Sequence, residues 1–245
     1  MTSAPRPPFQ PFLRAGWSVC FKPEKAGRLG GVMNGQLGRQ AVFLGLAKRF
    51  QPDAILETGA HRGVTTRFLA RQAHPRTLAC EIDPRFYWEA RLRLWGLPHA
   101  RVFFCDTRQF LEHLPVWEKK PIRRPMFYLD AHWDREDLPL VEELKIIHRL
   151  YRDALLCVDD FRHPTDQGYG FDSYGEDREI GLPLLEKYLP EFSRIFVPRL
   201  SSREETGKKR GCAFLGLGAG LSVLQQSADL AEIPLAPHDS RPAHF

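Results

Sequence analysis

Acidic residues follow three consecutive apolar segments in the first half of the sequence. Glu57, Glu81 and Asp106 come directly after the runs at 54–56, 77–80 and 102–105. A carboxylate at the end of the second strand of an α/β sheet can accept hydrogen bonds from both hydroxyls of a ribose. Asp106 can equally be the N-cap of the helix that follows it. Three acids at three strand ends, taken together, indicate a ligand-binding edge.

The turn after the first of these segments contains two glycines. The sequence from 55 to 63 contains E-x-G-x-x-x-G, with Glu57, Gly59 and Gly63 at the fixed positions. Glycine lets a ligand approach the backbone, and the start of the next helix presents free N–H groups to it. A dinucleotide-binding turn has the different spacing G-x-G-x-x-G. Glycine at such a turn also has a purely structural explanation, so both interpretations stay open.

Further acids follow the next two apolar runs, at 126–129 and 155–158. Asp130 follows the first run, and Asp159 and Asp160 follow the second. In a parallel sheet both ends emerge at the same edge, where ligands bind in open α/β folds. Three carboxylates with room for water suit Mg²⁺. The pattern therefore predicts a magnesium site, although each aspartate taken singly could instead cap a helix or turn.

The elements that must position these acids alternate along the chain. The five apolar runs are separated by stretches of helical periodicity, which indicates a parallel sheet covered on both faces. Two later runs, at 195–197 and 212–217, are joined by a basic loop and could pair as a hairpin. We predict an α/β, Rossmann-like fold with a mostly parallel sheet, helices on both faces and a C-terminal hairpin.

The length of 245 residues allows one sizeable core and demands no second. We expect residues 1–40 to form an N-terminal arm and leading segment, and residues 41–224 to form the ligand-binding domain. Residues 225–245 are expected to be a flexible tail, because the sequence beyond Leu224 has no apolar pattern. The N-terminal prolines precede no long apolar stretch, so no secretory signal is expected.

Composition limits the partners. No apolar run reaches about 18 residues, so we expect no membrane span. Five cysteines form no C-x-x-C pair, which fits reduced core thiols in a cytoplasmic protein. The net charge is +5, and the densest basic patch, at 208–210 with Arg199 and Arg203, has no interleaved aromatic residues. We interpret it as a solvated loop and do not expect nucleic acid as a partner. The sequence is compatible with a homo-oligomer.

From about Ile55 to Asp160 the sequence resembles the class I S-adenosylmethionine-dependent methyltransferases. The resemblance rests on the segment around Glu57, Gly59 and Gly63 and on the acid at the second strand end, Glu81. It implies that the glycine turn is the cofactor loop and that Glu81 binds the ribose of S-adenosylmethionine. It also implies that Asp106 lies beside the adenine.

A narrower resemblance rests on the segment 129–133, Leu-Asp-Ala-His-Trp, followed by Asp159 and Asp160. These residues are similar to the metal-dependent catechol and caffeoyl-CoA type O-methyltransferases. The resemblance implies that Asp130 and the later aspartate pair bind Mg²⁺ or another divalent metal. It further implies methyl transfer to an oxygen of a small molecule.

The lysine that this group uses near the fourth-strand aspartate is missing here. His132 or Asp134 occupies its neighbourhood instead. Histidine titrates near neutral pH and can accept a proton when its imidazole is neutral. We therefore interpret His132 as the general base, with Asp134 as the reserve candidate.

Three other interpretations remain open. His132 and Asp134 with a later histidine such as His163 spell H-x-D…H, the pattern of a two-histidine, one-carboxylate iron centre. The cephalosporin-hydroxylase-like group resembles methyltransferases in fold and in its acidic metal residues. A non-catalytic nucleotide-binding module is the third. The acceptor cannot be identified from the sequence, because specificity in such folds lies in loops, here 162–177 and the N-terminal segment.

Overall fold

The computed structural model describes residues 4–21, 31–72, 76–131, 137–175, 178–188 and 194–233. Its α-helices are α1 (Gln10–Phe21), α2 (Leu37–Phe50), α3 (Val64–Gln72), α4 (Pro84–Arg93), α5 (Thr107–Trp117), α6 (Leu140–Leu150), α7 (Leu182–Tyr188) and α8 (Ala219–Gln225). Its strands are β1 (Ala54–Thr58), β2 (Arg76–Glu81), β3 (Ala100–Phe104), β4 (Pro125–Leu129), β5 (Ala154–Asp159), β6 (Ile195–Pro198), β7 (Cys212–Leu217) and β8 (Leu230–Ile233). A short 3₁₀ turn, Val32–Gly35, precedes α2.

All eight strands form one sheet in the order β3-β2-β1-β4-β5-β7-β6-β8. The pairings among β1 to β5 are parallel, and β7 runs antiparallel to both β5 and β6. The predicted mostly parallel sheet and C-terminal hairpin are therefore confirmed. The strand order reverses between β1 and β4, which opens a crevice at their carboxyl ends. That crevice lies beside the acids at the carboxyl ends of β1, β2, β4 and β5.

The core lies on both faces of the sheet, because alternate residues of each strand point to opposite sides. Leu56, Phe127 and Leu156 pack on one face with the buried residues of α5 and α6. Ile55 and Met126 pack on the other face, with Phe43, Leu46 and Phe50 of α2. β1, β4 and β5 are buried along their whole length, as expected for strands covered on both sides.

The predicted N-terminal boundary at residue 40 falls inside α2. α2 begins at Leu37 and continues across that boundary, because Val42, Phe43, Leu46 and Phe50 form an apolar stripe that packs on the sheet. α1 also packs on the domain, against α4. Phe12 contacts Trp88 edge to face with 5.1 Å between ring centroids, and the Trp88 indole donates a hydrogen bond to the carbonyl of Pro8.

Regular structure continues beyond the predicted C-terminal boundary at residue 224. α8 ends at Gln225, and β8 adds an antiparallel strand to the free edge of β6, with the side chain of Leu230 buried. A strand of four residues is too short to show an apolar pattern in the sequence, so β8 could not be predicted from it. Residues 234–245 lie outside the described part of the chain.

Two compositional expectations can be compared with the structure. Cys80, Cys105, Cys157 and Cys212 are free and buried, as predicted for core thiols. In the described ranges, no helix combines the length and the apolar character that a membrane crossing requires.

Candidate cofactor and acceptor site

The turn between β1 and α3 is shaped by two glycines with left-handed backbone angles. Gly59 has φ +74° and Gly63 has φ +72°. A Cβ atom at Gly59 would collide with the carbonyl oxygen of Asp130, and one at Gly63 would lie 2.7 Å from the Cα of Ala90 in α4. Glycine is therefore needed both for the backbone angle and for the close approach of neighbouring chain segments.

Two cavities open on either side of this turn, and Gly59 and His61 line both of them. The β2 cavity has a volume of about 330 Å³. Its walls include the side chains that follow β2 and β3 and the segment before α6: Glu81, Ile82, Phe86, Asp106, Thr107 and Pro139. It combines apolar walls with two carboxylates, as sites for small organic ligands commonly do.

Glu81 lies in the β2 cavity at the end of β2, where the sequence placed it. Its Oε2 accepts a hydrogen bond of 2.6 Å from the backbone N–H of His61, and its Oε1 accepts one of 2.8 Å from that of Asp83. Burial raises the pKa of Glu81, although these backbone amides oppose the shift. Each carboxylate oxygen has a second lone pair, so Glu81 can accept two further hydrogen bonds from a ligand.

Asp106 also lines the β2 cavity, but its oxygens are already engaged. It is the N-cap of α5, accepting a hydrogen bond of 2.8 Å from the Arg108 amide. The Arg108 guanidinium donates to both carboxylate oxygens at 2.9 and 2.8 Å and lowers the pKa of Asp106. Asp106 therefore caps α5, as one of the two interpretations of the sequence predicted, and it also lines the β2 cavity.

The β5 cavity has a volume of about 540 Å³ and lies at the ends of β1, β4 and β5. Three separate stretches of chain complete its wall: 31–34 before α2, 172–174 in the loop after β5, and 208–210 in the loop before β7. The loop 172–174 falls within the segment 162–177 that the sequence assigned to specificity. The basic loop before β7 is therefore part of the site.

Glu57 lines the β5 cavity from the end of β1 and is only 2% exposed. Its Oε2 is buried and has no hydrogen-bond partner among the described residues. Burial raises the pKa of Glu57 to about 8, against the opposing effect of the Thr66 hydroxyl. A buried carboxylate oxygen without a partner is costly in a folded protein. The carboxylate of Glu57 is thus suited to receive a positively charged or hydrogen-bonding group of a ligand.

His61 stands between the two cavities. Its ring packs on Phe86 with 4.1 Å between centroids. Burial and the nearby Arg62 guanidinium lower the pKa of His61 to about 4, so its imidazole is neutral at neutral pH. A neutral ring here adds no positive charge to either cavity.

Asp159, at the end of β5, is fully buried and saturated with donors. Its Oδ1 pairs with the Arg39 guanidinium and accepts a hydrogen bond of 2.7 Å from the Asp160 backbone N–H. Its Oδ2 accepts from the Tyr128 hydroxyl and from the Asn34 side-chain amide, the latter at 3.1 Å. Burial and the Asp159 carboxylate raise the pKa of Tyr128, so the hydroxyl keeps its proton and donates a hydrogen bond to Asp159. Four donors occupy the four lone-pair positions of this carboxylate.

Arg39 reaches Asp159 because loop residues fix the start of α2. The carboxylate of Glu205 accepts hydrogen bonds of 3.0 Å from the backbone N–H groups of both Gly38 and Arg39. The Thr206 hydroxyl accepts another from the Leu37 amide at 2.8 Å. A carboxylate at a helix N-terminus satisfies free N–H groups and complements the helix dipole. Arg39 is 1% exposed, and its Nη2 also donates to the carbonyls of Arg210 and Gly211.

Asp160, with φ +54°, turns its carboxylate into the β5 cavity. It pairs with Arg210, whose Nε lies 2.5 Å from Oδ1. Nη2 of the same arginine pairs with Asp172. The Tyr174 hydroxyl donates a hydrogen bond of 3.0 Å to the other oxygen of Asp172. Burial and the Asp159 carboxylate raise the pKa of Asp160 to about 7, and Arg210 opposes this shift. One guanidinium thus bridges two carboxylates at the cavity wall.

The predicted magnesium site of Asp130, Asp159 and Asp160 is not formed by these residues. Asp130 lines the β5 cavity, where burial and the two neighbouring carboxylates raise its pKa. Asp159, however, has no lone pair left, and Asp160 is bound to Arg210. Within the described ranges, no group of three or more His, Cys, Asp or Glu side chains is arranged to hold a metal ion. The acids do converge, as predicted, but arginines supply the positive charge.

The predicted base, His132, and its reserve, Asp134, lie outside the described residues. The later histidine of the iron-centre interpretation, His163, is buried, and its Nδ1 accepts a hydrogen bond of 3.0 Å from the Asp166 amide. It lines neither the β2 nor the β5 cavity. This placement removes His163 from that interpretation.

Sequence reasoning missed Arg39 and Arg210. Arg39 was assigned to a leading segment, but it lies on the same helical stripe as Phe43, Leu46 and Phe50. A charged residue on a buried stripe needs a partner, and that signal could have identified it. Arg210 was interpreted as part of a solvated loop. It is half-buried and paired twice, and no local pattern in the sequence indicates this.

The structure has the Rossmann-like fold of the class I methyltransferases. No protein-family profile matches the sequence, and a sequence search of curated proteins finds no match either. The comparison of structures therefore defines the fold class alone, since every similar structure named below is less than 25% identical to this chain.

Three solved structures illustrate the likeness. The O-methyltransferase TomG from Streptomyces achromogenes, involved in tomaymycin synthesis and solved in complex with SAM, matches with TM-score 0.52 and 18% identity, over 85% of this chain and 90% of that one. An O-methyltransferase from Bacillus cereus in complex with SAH matches with TM-score 0.58 and 13% identity, over 86% and 92%. A putative O-methyltransferase from Klebsiella pneumoniae matches with TM-score 0.55 and 17% identity, over 86% and 91%.

Proposed function

We propose that this protein is an S-adenosylmethionine-dependent methyltransferase that methylates an oxygen of a small molecule. The observation that carries the proposal is the pair of cavities joined at Gly59 and His61, with Glu81 in one and the unpartnered Oε2 of Glu57 in the other. Similar structures that carry SAM or SAH support the same cofactor.

The residues of the β2 cavity fit the adenosine part of this cofactor. Glu81 would accept hydrogen bonds from the ribose hydroxyls through its remaining lone pairs, and Ile82, Phe86 and Pro139 provide apolar surface for adenine. In the β5 cavity, Glu57 would pair with the amino group of the methionine part. The bound cofactor supplies an electrophilic methyl group on a sulfonium. The protein must then align the acceptor oxygen with that methyl group and remove the proton of the acceptor hydroxyl.

Binding of the cofactor can be tested by calorimetry with S-adenosylmethionine, NAD and 2-oxoglutarate, each titrated into the parent protein. We expect S-adenosylmethionine alone to bind. Glu81→Gln should weaken that binding by about 1.5–3 kcal/mol, because a charge-assisted acceptor is lost. Asp106→Asn is the matched control, and its effect should be smaller because Arg108 already occupies Asp106.

Several results would contradict the proposal. Preferential binding of 2-oxoglutarate would favour the hydroxylase interpretation, and preferential binding of NAD would favour a dehydrogenase. Cofactor binding without turnover on any acceptor would favour a non-catalytic module. Gly59→Val is a poor test, because its side chain would collide with the Asp130 carbonyl whether or not a cofactor binds there.

We further propose His132 as the general base, with Asp134 in reserve. The described residues on either side support this position, because Asp130 lines the β5 cavity and both Ala131 and Asp137 line the β2 cavity. With an acceptor in hand, His132→Gln should keep cofactor affinity while turnover falls about 10²–10⁴-fold and the acidic limb of the pH profile disappears. Asp134→Asn is the comparison. Unchanged turnover in His132→Gln would refute this role.

A further inference from the structure

The carboxyl ends of β4 and β5 carry the acids expected of a metal site, but both oxygens of Asp159 are occupied. All four lone-pair positions of Asp159 receive donors, from Arg39, Tyr128, Asn34 and the backbone N–H of Asp160. A divalent cation needs at least one free lone pair on each carboxylate ligand. Asp159 therefore cannot act as a ligand while Arg39 is in place.

Arg39 is held in that place by several independent contacts. The Glu205 carboxylate fixes its backbone N–H, and its Nη2 donates to two backbone carbonyls. Both partners of the ion pair are almost completely buried, at 1% and 0% exposure of the side chains. Removing one partner of a buried ion pair is strongly unfavourable, so a metal ion in solution would not displace this guanidinium.

Arg210 neutralises two less buried carboxylates, those of Asp160 and Asp172. Its guanidinium lies between Asp160 and Asp172, a bridging position that a divalent ion takes in other acidic sites. It lines the β5 cavity directly, and so does Lys208 two residues earlier, for which no ion pair with a described residue is seen. The cavity wall thus carries its own fixed positive charges.

We propose that Arg39 and Arg210 take the place of the divalent cation in this protein, so that methyl transfer needs no metal. This inference rests on the proposed function for its catalytic meaning, but not for its test. A metal ion in such a site would bind vicinal oxygens of the acceptor and acidify them. A guanidinium already shared between two carboxylates does neither. The acceptor therefore needs no pair of chelating oxygens, and its proton must pass to a protein base.

The test is a titration of the full-length protein with Mn²⁺ alone, without cofactor, followed by electron paramagnetic resonance and by the shift in melting temperature. The parent should show no specific Mn²⁺ site. Arg210→Gln leaves Asp160 and Asp172 as neighbouring carboxylates without a cation, so it should gain one Mn²⁺ site whose affinity is about tenfold or more above the non-specific binding of the parent. Lys208→Gln, which removes one positive charge from the same cavity without freeing a carboxylate, should behave as the parent.

A parent protein that binds one Mn²⁺ ion and is stabilised by it would overturn the inference. So would a folded Arg210→Gln variant that gains no affinity. A second variant, Asp160→Asn combined with Arg210→Gln, should lose the gain and thereby place the ion at Asp160. Because no cofactor is present, failure to bind S-adenosylmethionine would refute the proposed function and leave these results unaffected.

Discussion

Glu57 is the residue whose protonation is most directly coupled to the proposed cofactor. Burial raises its pKa from 4.5 to about 8, so at neutral pH the folded, ligand-free protein holds a proton that the unfolded chain has lost. The Glu57 contribution to folding stability therefore falls as the pH rises from 4.5 towards 8. A cationic amino group beside the carboxylate favours the ionised form. Binding should then release this proton.

We accordingly predict that affinity for S-adenosylmethionine rises with pH up to about 8, by at most about tenfold per pH unit for one released proton. Calorimetry in buffers of different ionisation enthalpy measures both the affinity and the number of protons released. Glu57→Gln should lower the affinity and flatten its pH dependence. The matched control is Glu143→Gln, since Glu143 is also buried with its pKa raised to about 7 but lines neither cavity. A slope that disappears in the control and persists in Glu57→Gln would contradict the assignment.

Among the elements, the strands of the parallel sheet could be predicted and the origin of the counter-charges could not. Apolar runs followed by acids are local patterns, so Glu57, Glu81 and Asp130 were correctly placed at the carboxyl edge of the sheet. The N-caps of α4 and α5 are equally local, because Asp83 and Asp106 bond to amides two or three residues away.

The charges that neutralise these acids come from elsewhere in the chain. Arg39 pairs with an aspartate 120 positions later, and Arg210 with one 50 positions earlier. No spacing rule in the sequence relates residues so far apart. Three converging aspartates suggested a metal, because the sequence shows which acids meet at an edge and not which cation reaches them. The Glu205 cap fixes the start of α2, and the position of α2 brings Arg39 to Asp159.

At the scale of the whole molecule, the sheet continues into the region that the sequence assigned to a tail. We predict that a chain ending at Gln226 is less stable than one ending at Ile233 by about 2–5 kcal/mol, since the shorter chain loses β8 and the buried Leu230 side chain. Urea unfolding of the two truncated proteins measures the difference. Glu232→Ala in the longer chain is the control and should change stability little, because Glu232 is exposed and its pair with Arg194 lies on the surface. Equal stability of the two truncations would show that β8 contributes nothing to the fold.

The two cavities are built from different stretches of the chain. Residues 80–83, 106–107 and 137–139 enclose the β2 cavity, whereas 31–34, 172–174 and 208–210 close the β5 cavity, and among the described residues only Gly59 and His61 belong to both. A chimera that received the second set of loops from a related protein would keep every contact proposed for adenosine. Under the proposed function, changing the loops on one side of this turn would alter the acceptor that is bound and leave the adenosine contacts unchanged.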